Sequence, residues 1–408
     1  MQRRIKIKYP VILVCFVLLI ALVNSCTEPF DTSGILSDFE SALVIEATIT
    51  NELKQHEVKL TKSFEFGADG AEAVSDAEVR VLDDQGIEIK FLESEPGIYV
   101  SDQEFEALIE RVYSLSVTTN DGRVYVSNPT QLTKATPIDN VIAERIINDD
   151  DQEGMAILVN TFDPTNSSNF YRYEFEETFL IIAPDWTNQD LVALSPDPND
   201  CGVAVVDTGD NNERVCYGTN VSNEIILTTT TGLTEDRVSD FVVRFVDRNN
   251  YILSHRYSIL VRQFVQSPTS YSFLNILNNL SESDNLFSQI QPGLLIGNVF
   301  NESDRDEIVL GYFDVASVSE QRIFFNYDEF FPDEPLPPYA TACNATAPPL
   351  SDFGDCVLAF SVRNEFVEYL DVNLGPTEEN PGPYLVVSPP CGDCTVLGSN
   401  VAPPFWID

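Results

Sequence analysis

One long apolar run opens the chain, and after it hydrophobic and polar residues alternate with a period of two over most of its length. The run, Val11 to Val23, follows Arg3, Arg4, Lys6 and Lys8. A basic start and an apolar stretch of this size form a signal-peptide core; a bilayer crossing needs roughly 20 apolar residues. Between the positions 42 and 127, β-branched and aromatic residues recur at alternate places. They predict strands over Ala42–Thr50, Glu57–Phe64, Glu78–Leu82, Ile87–Leu92, Ile98–Ser101, Val112–Thr119 and Arg123–Ser127. Asp83-Asp84-Gln85-Gly86 and Asn120-Asp121-Gly122 supply turn residues between them. Glu104–Glu110 reads as a short helical turn. Short strands packed this densely predict a small antiparallel β-sandwich of immunoglobulin-like or transthyretin-like kind.

The alternation continues beyond Thr133–Asp139, which reads as a linker. Further strands are predicted over Met155–Phe162, Phe170–Ile182, Ile225–Thr231, Phe241–Val246, Tyr257–Val265, Ile308–Phe313, Arg322–Tyr327 and Val357–Val362. One helix interrupts them. Ser267 is a good N-cap, Pro268 suits the first helical position, and Phe273, Leu274, Ile276, Leu277 and Leu280 follow at helical spacing. That stripe reads as core packing. Prolines crowd the stretches Pro332–Pro338 and Pro381–Pro390, so the end is expected to be rich in loops. The expected organisation is a signal peptide (residues 1–25), a tether (26–40), a small β-sandwich domain (41–132), a linker (133–140) and a larger β-rich domain (141–408). The fold class is mainly β.

The end of the apolar run sharpens the leader. Val23-Asn24-Ser25-Cys26 resembles a bacterial lipobox, in which a small residue precedes a cysteine that accepts acyl chains on sulfur and then on its new amino group. Cys26 is therefore the expected lipid-attachment site. Several acyl chains on one residue anchor stably, since each buried CH₂ contributes roughly 0.8 kcal/mol. Without the leader, 19 basic side chains face 65 acidic ones, a net charge near −46. Such a surface repels nucleic acid and anionic lipid, which excludes nucleic-acid binding. With 43% hydrophobic residues the chain still has ample material for a core.

Six cysteines remain: Cys201, Cys216, Cys343, Cys356, Cys391 and Cys394. An even number in an exported chain favours disulfides, and the sequence allows 15 connectivities. Proximity along the chain suggests Cys201 with Cys216, Cys343 with Cys356, and Cys391 with Cys394. A zinc site is disfavoured, because it wants sets of four ligands and the chain has two histidines, His56 and His255. No GxSxG elbow, HExxH, P-loop or GxGxxG is present. No catalytic residue, metal ligand or cofactor is implied. Two acidic loops, Asn148–Asp151 and Asp207–Glu213, offer hard oxygen ligands but lack EF-hand spacing.

Several short segments resemble those of a lipoprotein family of the Bacteroidota known as "domain of unknown function 4249". They are Tyr271-Ser272-Phe273, Gln291-Pro292 with Gly297-Asn298-Val299, Val309-Leu310-Gly311-Tyr312-Phe313, Ser317-Val318-Ser319, Cys391-Gly392-Asp393-Cys394, Gly398-Ser399-Asn400 and the terminal Pro404-Phe405-Trp406. The resemblance implies an outer-membrane, lipid-anchored and surface-facing protein. It implies a TonB-dependent outer-membrane transporter as partner, with this chain as a non-enzymatic accessory or ligand-binding subunit. A hydrolase acting on envelope glycans or peptides and a structural or adhesive surface protein are the alternatives. A pair of partly buried carboxylates in a cleft would favour the hydrolase; an aromatic-lined concave face would favour ligand capture.

Overall fold

The computed structural model describes residues 41–64, 70–209, 212–281, 295 and 297–407. The leader, Cys26 and the tether lie outside the described residues. Among the described residues no helix is long and apolar enough to cross a membrane.

The protein is mainly β. Its first strands are β1 (Leu43–Thr50), β2 (Glu57–Lys62), β3 (Glu72–Ala73), β4 (Glu78–Asp83), β5 (Glu88–Glu95), β6 (Ile98–Ser101), β7 (Val112–Thr118), β8 (Val124–Ser127) and β9 (Thr130–Gln131). Turn chemistry sets their ends: Asp83 Oδ1 accepts from the N–H groups of Gln85 and Ile87, at 2.9 and 2.8 Å. The helical turn expected over Glu104–Glu110 does not form: Phe105 makes an antiparallel bridge with Lys54, and only a turn at the end of the segment remains, closed by Arg111 N–H on the Leu108 carbonyl at 3.2 Å. Alternate residues of these strands (Ile45, Val58, Leu60, Val81, Leu115, Val117) meet in one core.

The next strands are β10 (Ile138–Ile147), β11 (Glu153–Asp163), β12 (Phe170–Ile182), β13 (Gln189–Ala193), β14 (Val203–Asp207), β15 (Val215–Val221), β16 (Ile226–Thr229), β17 (Asp236–Asp247) and β18 (Arg256–Val265). β10 takes up the second half of the expected linker, because Ile138 and Val141 face the second core. The sheet β10–β11–β17 and the strands β12 and β18 close over that core, where Met155, Ile157 and Val159 meet Tyr171, Tyr173, Tyr257 and Ile259. Glu177, fully buried, accepts from Arg244 Nε and Nη2 at 3.0 and 3.1 Å, from Asn220 Nδ2 at 3.0 Å and from the Tyr257 hydroxyl. A buried carboxylate is tolerated only when it is paired and hydrogen-bonded in this way.

Strand β19 (Val299–Asn301) pairs with β8 at the edge of the first core, and β20 (Val309–Asn326) joins the two cores. Two separate strands, Ile308–Phe313 and Arg322–Tyr327, were expected here; one strand of 18 residues runs through both. Its first half pairs parallel with β1, from Leu43 against Val309 to Thr50 against Ala316, and fills the first core with Phe313 and Val315. Its second half pairs antiparallel with β18, from Val265 against Ser317 to Arg256 against Asn326. The amino-terminal core is thus completed by residues 266 positions downstream of their β1 partners (309 − 43), through long-range pairing that no local pattern announces.

The junction explains two short segments of the family resemblance, Gly297-Asn298-Val299 and Val309–Phe313. Gly311 has φ +102°, and a Cβ there would lie 1.9 Å from the Ile45 carbonyl oxygen. A Cβ on Gly297 would lie 1.7 Å from the Gly311 carbonyl oxygen. Only glycine permits both the backbone angle and the approach. Asn298 clamps the two segments: its Oδ1 accepts from Phe313 N–H and its Nδ2 donates to the Phe313 carbonyl, both at 2.8 Å.

The helix α1 (Pro268–Ser281) forms where Ser267-Pro268 predicts it, with Ser267 Oγ accepting from Ser270 N–H at 3.1 Å. The carboxy-terminal part holds a shorter helix, α2 (Val357–Arg363), and the hairpin of β21 (Glu368–Val372) with β22 (Tyr384–Val387). The residues 357–362 were expected as a strand. They are helical, because Leu358 and Val362, four residues apart, pack on a small core with Leu191, Tyr369 and Val386.

Candidate functional site

Where β1 and β20 run side by side, their side chains alternate between two faces. Ile45, Ile49, Phe313 and Val315 point into the first core. Val44, Glu46, Thr48, Leu310, Tyr312 and Asp314 point the other way. Helix α1 lies over that outer face. The Phe273 ring is 5.2 Å from Tyr312, Tyr271 is 4.9 Å from Phe170, and the Thr269 and Tyr312 hydroxyls are 2.8 Å apart. Helix and sheet do not close on each other, and a cleft of about 470 Å³ remains between them. This volume falls within the range of small-molecule sites.

The helical stripe predicted as core therefore has a different role. Phe273 is buried, but Leu274, Leu277 and Leu280 are half-buried and Ile276 is 44% exposed. Leu274 and Leu277 form one wall of the cleft, with Phe273 and Leu310 beside them. A second opening of about 610 Å³ lies against Ser272 and Ile276 of the same helix and reaches Asn128 and Asn298.

The cleft also has a polar side, lined by Asp314, Ser270 and Arg172. Asp314 is buried, and burial raises its carboxyl above the usual range, opposed by nearby Arg172 and by the polar side chains of Ser270 and Gln266 beside it. Its Oδ1 also accepts from Val315 N–H at 3.0 Å. Arg172 donates through Nη1 to Glu174 and holds its guanidinium 4.1 Å from the Phe264 ring centre. Gln266 accepts from the Ser270 hydroxyl, while its own Nε2 finds no partner among the described residues. No sequence signal marked Arg172 or Asp314, since each is one polar residue in an alternating strand.

A second group of charges lies in the carboxy-terminal part. Burial, and then the charges of Asp190, Asp393 and Glu213, push the Glu368 carboxyl up to about 8. Burial and Asp393 raise Asp190. Neither Asp190 nor Glu368 lines the α1 cleft.

All six expected cysteines form disulfides, but none is local. Cys201 bonds Cys356, Cys216 bonds Cys394, and Cys343 bonds Cys391. Expected pairs of Cys201 with Cys216, Cys343 with Cys356 and Cys391 with Cys394 are corrected accordingly. The physical reason is placement. Cys216 sits within β15 with its side chain in the second core, where Cys394 is brought to it from the far end of the chain. Cys391, three residues earlier, lies under Cys343 instead, so Cys391-Gly392-Asp393-Cys394 serves two different bridges. Asp185 approaches the Cys343 and Cys391 sulfurs, but both are already bonded and are not free ligands.

His56 is buried, with Nε2 3.0 Å from the Phe105 carbonyl, and His255 lines a small cleft beside Tyr251 and Tyr339. The loop Asn148–Asp151 is a turn in which Asn148 Oδ1 accepts from the amides of Asp150 and Gln152, at 3.0 and 2.9 Å. The loop Asp207–Glu213 lies partly outside the described residues. Phe405 and Trp406 fold back on the sheet: Arg322 stands 3.5 Å from the Phe405 ring centre, and Trp406 meets Tyr217 edge-on at 5.0 Å.

Comparison with known proteins gives a family. The profile described as "Domain of unknown function (DUF4249)" matches residues 27–322. No curated protein matches the chain. Among solved structures, a DUF4785 family protein from Legionella pneumophila is similar at 7% identity and a TM-score of 0.16, over 53% of this chain. The chain spans half of that protein's length, 50%.

Proposed function

The chain belongs to the DUF4249 family, and from that premise we propose that it is a lipid-anchored, non-enzymatic protein of the outer membrane that captures a small ligand in the α1 cleft and serves a TonB-dependent transporter. The observation that carries the ligand reading is the cleft, with its apolar wall of Phe273, Leu274, Leu277 and Leu310 and its buried Asp314. An apolar concavity with a few convergent polar groups is the usual form of a small-molecule site. The partner comes from the resemblance to envelope lipoproteins encoded beside such transporters, a warrant by analogy. Acylation of Cys26 would confine the chain to the membrane and raise the effective concentration of a partner there.

The test is copurification. An affinity tag in the exposed turn Asp149–Asp151, followed by mild detergent extraction of native membranes with crosslinking, is expected to recover a large β-barrel protein in near-equal amount. Recovery of the lipoprotein alone across several detergents would refute the transporter partnership. Cys26→Ser is expected to release a folded protein from the membrane fraction; retention after a carbonate wash would place the anchor elsewhere.

The hydrolase alternative draws support from one feature, the coupling of a raised Glu368 to Asp190. Loss of hydrolysis of a glycan or peptide substrate in Glu368→Gln, with the fold intact, would favour it over ligand capture.

A further inference from the structure

We propose that the α1 cleft selects an organic cation with an apolar body, its charged head against Asp314 and its hydrocarbon along Leu274, Leu277 and Leu310. This rests on the reading of the cleft as a ligand site and adds the chemistry of what fills it.

The charges that line the cleft decide the sign of the head. Glu46 is engaged by Lys59 at 3.4 Å. Arg172 donates to Glu174 and stacks on Phe264, and Glu174 is shared with Arg262 at 3.6 Å. Asp314 makes no ion pair within 4.0 Å among the described residues, although Arg172 is close enough to lower its carboxyl. It is 6% exposed, and its carboxylate receives a backbone N–H from Val315. A buried carboxylate so placed stays costly until it meets a proton or a cation. An ammonium head supplies both positive charge and several donors. An anionic head would meet Asp314 and Glu46, while the cation that should receive it is already bound to Glu174. Without the leader the net charge, 19 − 65 = −46, acts in the same direction at long range, enriching cations near the surface.

The wall decides the body. Leu274 and Leu277 are nearly one helical turn apart on the face of α1 that looks down on Leu310 and Val44. These four side chains are all hydrocarbon, so an alkyl or aryl group fits against them better than a sugar or a peptide backbone.

The experiment uses the mature chain with Cys26→Ser and three probes of equal length: octylammonium, 1-octanol and octanoate. Titration calorimetry reads each affinity. Octylammonium is expected to bind about tenfold or more tighter than 1-octanol, the margin of a charge-assisted hydrogen bond, and octanoate the weakest. Asp314→Asn, which keeps the shape and removes the charge, is expected to erase that margin and leave 1-octanol unchanged. Near-UV circular dichroism checks its fold. Leu274→Asp with Leu277→Asp, on a helix face not needed for the core, is expected to abolish binding of all three. If the three probes bind alike and the double variant loses them all, the cleft is a ligand site without charge selection and the proposal is overturned. If none binds, or the double variant binds as before, the proposal and the ligand reading of the cleft fall together.

Discussion

Removal of the Cys216–Cys394 bridge by Cys216→Ala with Cys394→Ala tests the connectivity most directly. The bridge spans 178 residues. On chain entropy alone, a single loop of that length stabilises by about 5 kcal/mol, against about 3 kcal/mol for the 15-residue loop of a local Cys201–Cys216 pair. The other two bridges shorten the loop that is lost. From Cys216 the shortest remaining path runs back to Cys201, across to Cys356, on to Cys343, across to Cys391 and then to Cys394. That path is about 31 residues, which lowers the expected loss to about 4 kcal/mol. For a chain of this size the melting temperature should fall by roughly 5 °C. The last segment should loosen with it, since Cys394 precedes the Ser399 amide and carbonyl that pair with Tyr217 at 3.0 and 2.8 Å. The assays are differential scanning calorimetry and peptide mapping without reductant. A peptide joining Cys201 to Cys216, or a double variant that melts with the parent, would refute the reasoning.

Glu177→Ala leaves Arg244 without its carboxylate and should cost about 3–5 kcal/mol in urea unfolding, whereas Arg244→Met added to it should recover much of that loss. A double variant no more stable than Glu177→Ala would show that the ion pair is not the cause. The Glu368 carboxyl should make stability fall as pH rises: folded, it keeps its proton up to about 8, while the unfolded one releases it near 4.5. The stabilisation is complete below about 4.5 and is lost through about 8, so urea midpoints across that window should decline, and Glu368→Gln should flatten the decline. Gly311→Ala drives a Cβ into the Ile45 carbonyl at a positive φ and should cost about 3 kcal/mol or more. A melting temperature equal to the parent's would mean that the β1–β20 junction can move apart.

Much of the secondary structure was legible from alternation. The expected strands at Ile98–Ser101 and Phe170–Ile182 form with those bounds, and the helix begins at Pro268 as its cap predicts. Period and turn chemistry are local properties, set by which face of a strand is wet, so one sequence suffices to read them. The mainly β class, the six bridging cysteines and the glycines and asparagine of the resemblance were all visible as residues. Their purposes were not. Tertiary pairing decided that Val309–Asn326 is one strand shared by two cores, that Cys216 meets Cys394 across 178 residues, and that Val357–Arg363 is a helix despite its β-branched content. Tertiary structure also turned a stripe read as core into the wall of a cleft. The helix pattern fixes which residues share a face, but only the placement of α1 over the β1–β20 seam decides whether that face meets a partner or open space. Asp314 belongs to the same class: its chemistry comes from burial, which is set by the elements around it and not by its neighbours in sequence.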